Sequence, residues 1–195
     1  MTAFLRRAGS GILADGSRLV WSVADGRRGR RWRAAASRDG AISHALLLEI
    51  DLDGLPGRLE LATSAGMLTL HPDDARQSLH GNAVLPDGVR HLRMGWSDEH
   101  GLEVEGRPIA MAVTAHRLAR TMAVGEGRTI PVVLVSAALE VSETTRRFVR
   151  LGKTEWRIEP ETGATGARQA TGLSVDGRGI PVGLDETREW PLELD

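Results

Sequence analysis

LHGNAVLPDGVRHLRMGWSDEHGLEV, residues 79–104, is the stretch whose reading decides the fold. It holds three of the six histidines and one of the five tryptophans. Residues 89–96 alternate, with Leu92, Met94 and Trp96 on one face and His91 and Arg93 on the other. Leu102 and Val104 resume that spacing after Ser97-Asp98-Glu99-His100-Gly101. The pattern predicts two strands joined by a turn. Two functional readings stay open here. Either the Trp96 row lines a core or an apolar cavity, or the histidines ligate something.

Outward from this stretch, turn chemistry repeats. Asp-Gly pairs begin at Asp15, Asp25, Asp39, Asp53, Asp87 and Asp176. Such pairs suit the positive φ angles of tight hairpin turns. Between them lie strand-sized segments. Residues 18–23 put Leu19, Trp21 and Val23 on one face, and residues 30–35 carry Trp32 among arginines. Residues 41–52 place Leu46, Leu48, Ile50 and Leu52 opposite Glu49 and Asp51. Residues 58–62 and 67–71 alternate around Leu59, Leu61, Leu68 and Leu70, with Ser64-Ala65-Gly66 as their turn. Pro72-Asp73-Asp74-Ala75-Arg76 is expected to open one helical turn.

Downstream, residues 109–120 fit a helix by their alanine content and a strand by Val113, Thr114 and the flanking Pro108. Residues 129–135 form a continuous apolar run, expected as a strand buried on both faces. Trp156 and Ile158 share a face, and residues 160–166 read as a loop. Asp176-Gly177-Arg178-Gly179 turns the last hairpin. The tail alternates with Trp190, Leu192 and Leu194 on one side, and Pro191 assigns it to a sheet edge. About a dozen short strands, mostly with one wet face, give an all-β, antiparallel, partly open barrel or β-roll in a single barrel-like domain over residues 1–195.

Composition narrows the chemistry. The formal net charge is −1, so no global field selects nucleic acid as a partner. Cysteine is absent, which excludes disulfides, thiolate nucleophiles and Cys-based zinc sites. Tyrosine is absent too. No segment has the apolar length of a signal peptide or a membrane span, so a cytoplasmic chain without a transmembrane segment is expected.

Several constellations compete for function. Pro86-Asp87-Gly88-Val89-Arg90-His91 fits P-x-G-x-x-H, part of the second metal motif of cupins, but no H-x-H accompanies it. A metal-dependent, cupin-like enzyme would use His80, His91 and His100. Gly9-Ser10-Gly11 lacks the G-x-S-x-G spacing of a nucleophile elbow. Asp51, Asp53, Asp98, Glu99, Asp185 and Glu186 all adjoin turns, where acids are expected anyway. Arg27, Arg28, Arg30, Arg31, Arg33 and Arg38 crowd around Trp32 and suit single-stranded nucleic acid, an anionic head group or, as the blander account, a solvated strand edge. The tryptophans in strands pack a core or line an apolar cavity.

The second half resembles a bacterial glycolipid-binding family. The matching order is Arg117-Leu118, Val124-Gly125-Glu126, the apolar residues 130–135, Leu139-Glu140-Val141, Gln169, then Asp176 and Gly179 before a closing tryptophan strand. Trp21 and Trp96 also fall where that family carries tryptophan. The resemblance implies a curved, barrel-like antiparallel sheet, similar to bacterial lipoprotein carriers, whose concave side holds a lipid-like ligand. It implies no catalytic residues.

The expectation is therefore non-enzymatic binding of an amphipathic small molecule, a glycolipid or an acyl compound, with no cofactor and no metal. Trp32, Leu92, Met94, Trp96 and Trp156 are the expected ligand-binding residues. A third reading is a structural or partner-binding β module that forms a homodimer through the edge at residues 190–194.

Overall fold

A computed structural model describes residues 6–12, 16–160, 170–184 and 188–189. They fall into two compact units, one built on the chain up to Asp98 with Ala137–Leu139, the other on Glu99–Ser136 and the chain from Glu140. Nearly all of the regular structure is β, as the alternation predicts.

The first unit is an eight-stranded antiparallel sheet: β1 (Arg6–Ile12), β2 (Arg18–Gly26), β3 (Gly29–Arg38), β4 (Ala41–Ile50), β5 (Pro56–Thr63), β6 (Gly66–Pro72), β7 (Ser78–Leu85) and β8 (Gly88–Gly95). Spatial order equals chain order, because each strand is joined to the next by a short turn. Asp39 and Gly40 take φ angles of 52° and 80°, the doubly left-handed geometry that a two-residue hairpin needs. At Gly66 a Cβ would lie 2.0 Å from the Val84 carbonyl oxygen, so only glycine fits.

Two local expectations need correction. Asp25 and Gly26 end β2, and the turn is made by Arg27 and Arg28. Residues 72–76 form no helical turn. The Asp73 carboxylate instead accepts the Gln77 N–H at 2.8 Å and the Ser78 hydroxyl at 2.7 Å, which locks a non-helical loop. The Asp15 turn lies outside the described residues.

One face of this sheet is buried. Leu19, Trp21 and Val23 lie beside Trp32, Ala34 and Ala36, then Leu46 and Leu48, Leu59 and Leu61, and Leu68 and Leu70. Each leucine removed from water contributes about 1.5–3 kcal/mol. The rings of Trp21 and Trp32 are 5.9 Å apart and tilted by 39°.

The second unit contains β9 (Gly101–Val104), α1 (Pro108–Leu118), β10 (Gly127–Val135), β11 (Val141–Arg150), β12 (Glu155–Pro160), β13 (Thr171–Val175), β14 (Pro181–Leu184) and β15 (Arg188–Glu189). Its sheet order is β15-β14-β13-β12-β11-β10-β9. All pairs are antiparallel except β9 with β10. That exception corrects the reading of the opening stretch. β8 and β9 do not pair; they belong to different sheets. Parallel neighbours need a crossover, and α1 supplies it between β9 and β10. The crossover also settles residues 109–118 of that ambiguous span as helix and 119–120 as turn, with Pro108 in the first turn, where its missing N–H costs nothing.

Met111, Ala112, Ala115 and Leu118 of α1 belong to one core with Ile130, Val132, Phe148, Trp156, Ile158 and Leu173. β10 is buried at Val132, Val133 and Val135, as its unbroken apolar run predicts. Asp176 accepts the N–H groups of Arg178 and Ile180 at 2.8 and 2.9 Å, which sets the predicted last hairpin turn. Glu103 and Arg146 form a buried ion pair at 2.8 Å. No helix among the described residues is long and apolar enough to cross a membrane. Of the loop expected at residues 160–166, Pro160 instead ends β12; the rest, and the tryptophan strand at residues 190–194 with its dimer edge, lie outside the described residues.

Candidate ligand-binding face

The opposite face of the eight-stranded sheet carries graded rows of side chains. Strand register alone builds them, since directly paired residues share a face. One row runs Val20, Ala35, Ala45, Ala62, Met67 and Val84 across β2 to β7, ending at Val89 of β8. Every member is apolar. Val20 and Met67 are each 49% exposed, Val84 45% and Val89 57%.

The next row toward the β2–β3 turn is mixed: Ala8, Ser22, Arg33, Leu47, Glu60 and Thr69. The third is charged: Arg6, Ala24, Arg31, Glu49 and Arg58. The turn itself adds Arg27 and Arg28. Polarity therefore rises in one direction along the strands.

An open pocket of about 520 Å³ occupies this face. Val20, Ala35, Ala45, Leu47, Ala62 and Met67 form its apolar part; Ser22, Arg33 and Glu60 form its polar side. A second pocket of about 520 Å³ adjoins it and is lined by Arg6, Arg7, Arg31 and Arg33. The two share Ala8, Ser22 and Arg33. The carboxylates of this face are already engaged: Glu49 accepts Arg31 Nε at 2.6 Å, and Glu60 pairs with Arg58. The side chains of Arg33 and Arg6 have no hydrogen-bond or ion-pair partner among the described residues.

The sequence-predicted residues lie elsewhere. Trp32 is fully buried on the reverse face, in a row with Val23, Leu48, Leu59 and Leu70. Its indole N–H has no acceptor among the described residues. Leu92 ends that row on β8, half-buried, and Met94 stands opposite Leu79. Trp96 is buried just beyond β8, where its backbone N–H donates to the Gln77 carbonyl at 3.0 Å. Trp156 belongs to the second unit's core; the Arg150 guanidinium lies 5.8 Å from its ring and donates to the Met122 carbonyl at 2.6 Å. The structure thus aligns Trp32 with Leu92 and puts Trp156 in the other unit.

His80, His91 and His100 each meet a different neighbour. The Ser78 hydroxyl lies 2.7 Å from His80 Nε2, His91 Nδ1 lies 2.7 Å from Asn82 Oδ1, and His100 Nε2 lies 3.7 Å from Glu143. No group of three or more metal-binding side chains exists among the described residues. In the Asp73–Ser78–His80 chain the serine stands in the middle, so its hydroxyl proton goes to Asp73 while its oxygen accepts from His80. That order suits a turn lock and differs from a nucleophile with a histidine base. The Ser78 hydroxyl and the Gln77 N–H hold the Asp73 carboxyl below the usual carboxylate range.

Sequence reading missed the apolar row because it followed only the strongest face of each strand. The signal was present: Ala34-Ala35-Ala36 and Leu46-Leu47-Leu48 put apolar residues on both faces, where a wet face calls for polar ones.

No family model matches the chain, and no curated protein matches it. Among solved structures it is similar to a DUF1089 family protein from Pseudomonas aeruginosa. The two share 17% sequence identity with a TM-score of 0.58 over 97% of this chain and 94% of that one. At that identity the likeness shows a common fold.

Proposed function

We propose that the protein binds a lipid-like amphiphile, without chemistry on it, along the open face of the eight-stranded sheet. The observation that carries this reading is the apolar row from Val20 to Val89, whose valines and methionine stay about half exposed. Scattered single apolar residues on a surface are ordinary, but a contiguous row marks an interaction site. From Val20 on β2 to Met67 on β6 the row spans four inter-strand steps, about 19 Å at the usual strand spacing. That length matches an extended acyl chain. The mixed and charged rows give the molecule's polar end a place beside its apolar end. A glycolipid or another acyl compound meets both requirements. In this reading Trp21, Trp32 and Leu92 belong to the layer behind the site.

The test is displacement of an uncharged apolar dye, N-phenyl-1-naphthylamine, by dodecyl maltoside below its micelle concentration. Saturable dye binding is expected, weakened about tenfold or more by Met67→Glu, a loss of about 1.4 kcal/mol. Absence of saturable binding, or an unchanged affinity in that variant, would overturn the proposal.

A further inference from the structure

Resting on that reading, we infer that the amphiphile has an anionic head group, a carboxylate or a phosphate, and that Arg33 with Arg6 receives it. Arg33 sits at the seam between the two pockets and lines both. On one side it faces Ser22 of β2; on the other it faces Leu47 of β4. A head group on Arg33 therefore leaves its chain beside Leu47 and over Ala35 and Ala45.

The charge accounting points the same way. Arg30 is paired with Asp25, Arg31 with Glu49 and Arg58 with Glu60. Arg33 and Arg6 alone in these two rows have no carboxylate among the described residues. Ala8, Ser22 and Ala24 are small, so the floor between the arginines is open. A guanidinium presents a planar fork of donors that fits the two oxygens of a carboxylate or phosphate. A neutral sugar head would leave both cations unmatched, and a cationic head would be repelled.

The experiment is isothermal titration of the full chain with three dodecyl amphiphiles, each below its micelle concentration: dodecyl phosphate, dodecyl maltoside and dodecyltrimethylammonium. Dodecyl phosphate is expected to bind about tenfold tighter than the maltoside, and the ammonium weakest. Arg33→Gln should erase the preference, bringing dodecyl phosphate to within about twofold of the maltoside; Arg6→Gln should reduce it in part. Arg33 is exposed, so its variant keeps the fold, checked by circular dichroism. Equal binding of all three amphiphiles, or a preference that survives Arg33→Gln, overturns the head-group assignment and leaves the lipid reading standing. Inorganic phosphate binding as tightly as dodecyl phosphate also overturns it, by identifying an anion site without a chain. No binding of any amphiphile overturns both.

Discussion

Val20 on β2 and Met67 on β6 stand in one cross-strand row, with Ala35, Ala45 and Ala62 between them, and each is 49% exposed. Side chains this exposed contribute little to folding. Val20→Asp and Met67→Glu should therefore each cost no more than about 1 kcal/mol of unfolding free energy in urea titrations, the span of strand propensity. A loss of ligand binding in these variants would then be a property of the face and not of the fold.

Asp73 supplies a pH dependence with a definite sign. Its carboxylate is held below the ordinary aspartate value of 3.8, first by the Ser78 hydroxyl and then by the Gln77 N–H. A carboxyl with a lowered folded pKa adds stability that is present above the unfolded value and is lost as pH falls through the folded one. Acid titration of stability below pH 3.8 should be shallower in Asp73→Asn than in the parent, with the two curves parallel at neutral pH.

The Glu103–Arg146 pair is nearly out of solvent, with side chains 9% and 10% exposed. Removing one partner strands a buried charge, so Glu103→Gln should cost about 3–5 kcal/mol. The double variant Glu103→Leu with Arg146→Met removes both charges together and should recover most of that loss. A double-mutant cycle in denaturant measures it.

Trp32 combines a fully buried ring with an indole N–H that lacks an acceptor among the described residues. An unmet buried donor costs about 1–3 kcal/mol. Trp32→Phe removes the donor along with some volume, so thermal denaturation should register a loss of about 1 kcal/mol or less. Trp32→Leu, which also gives up the contact with Trp21, should lose more.

The all-β class was legible because alternation at residues 18–23, 41–52 and 58–71 is strong and tight turns separate the runs. Partnering was not legible. The spacing around Leu92 and Leu102 is the same whether two strands pair or part, and only the crossover through α1 sends β9 to the other sheet. The loop at Asp73 was misread because a carboxylate that accepts from Gln77 and Ser78 resembles a helix N-cap in sequence. Trp32 and Trp156 are expected at the site for their size, and the same size accounts for the burial of both rings. The small residues Ala35, Ala45 and Ala62 leave the room.

The most direct measurement follows the methyl groups of alanine, valine, leucine and methionine by NMR as dodecyl maltoside is added. Shifts should centre on Val20, Ala35, Ala45, Ala62 and Met67, with Leu59, Leu61 and Leu68 on the reverse face unmoved. Shifts concentrated on those leucines, or none on the Val20–Met67 row, would contradict the proposed binding face.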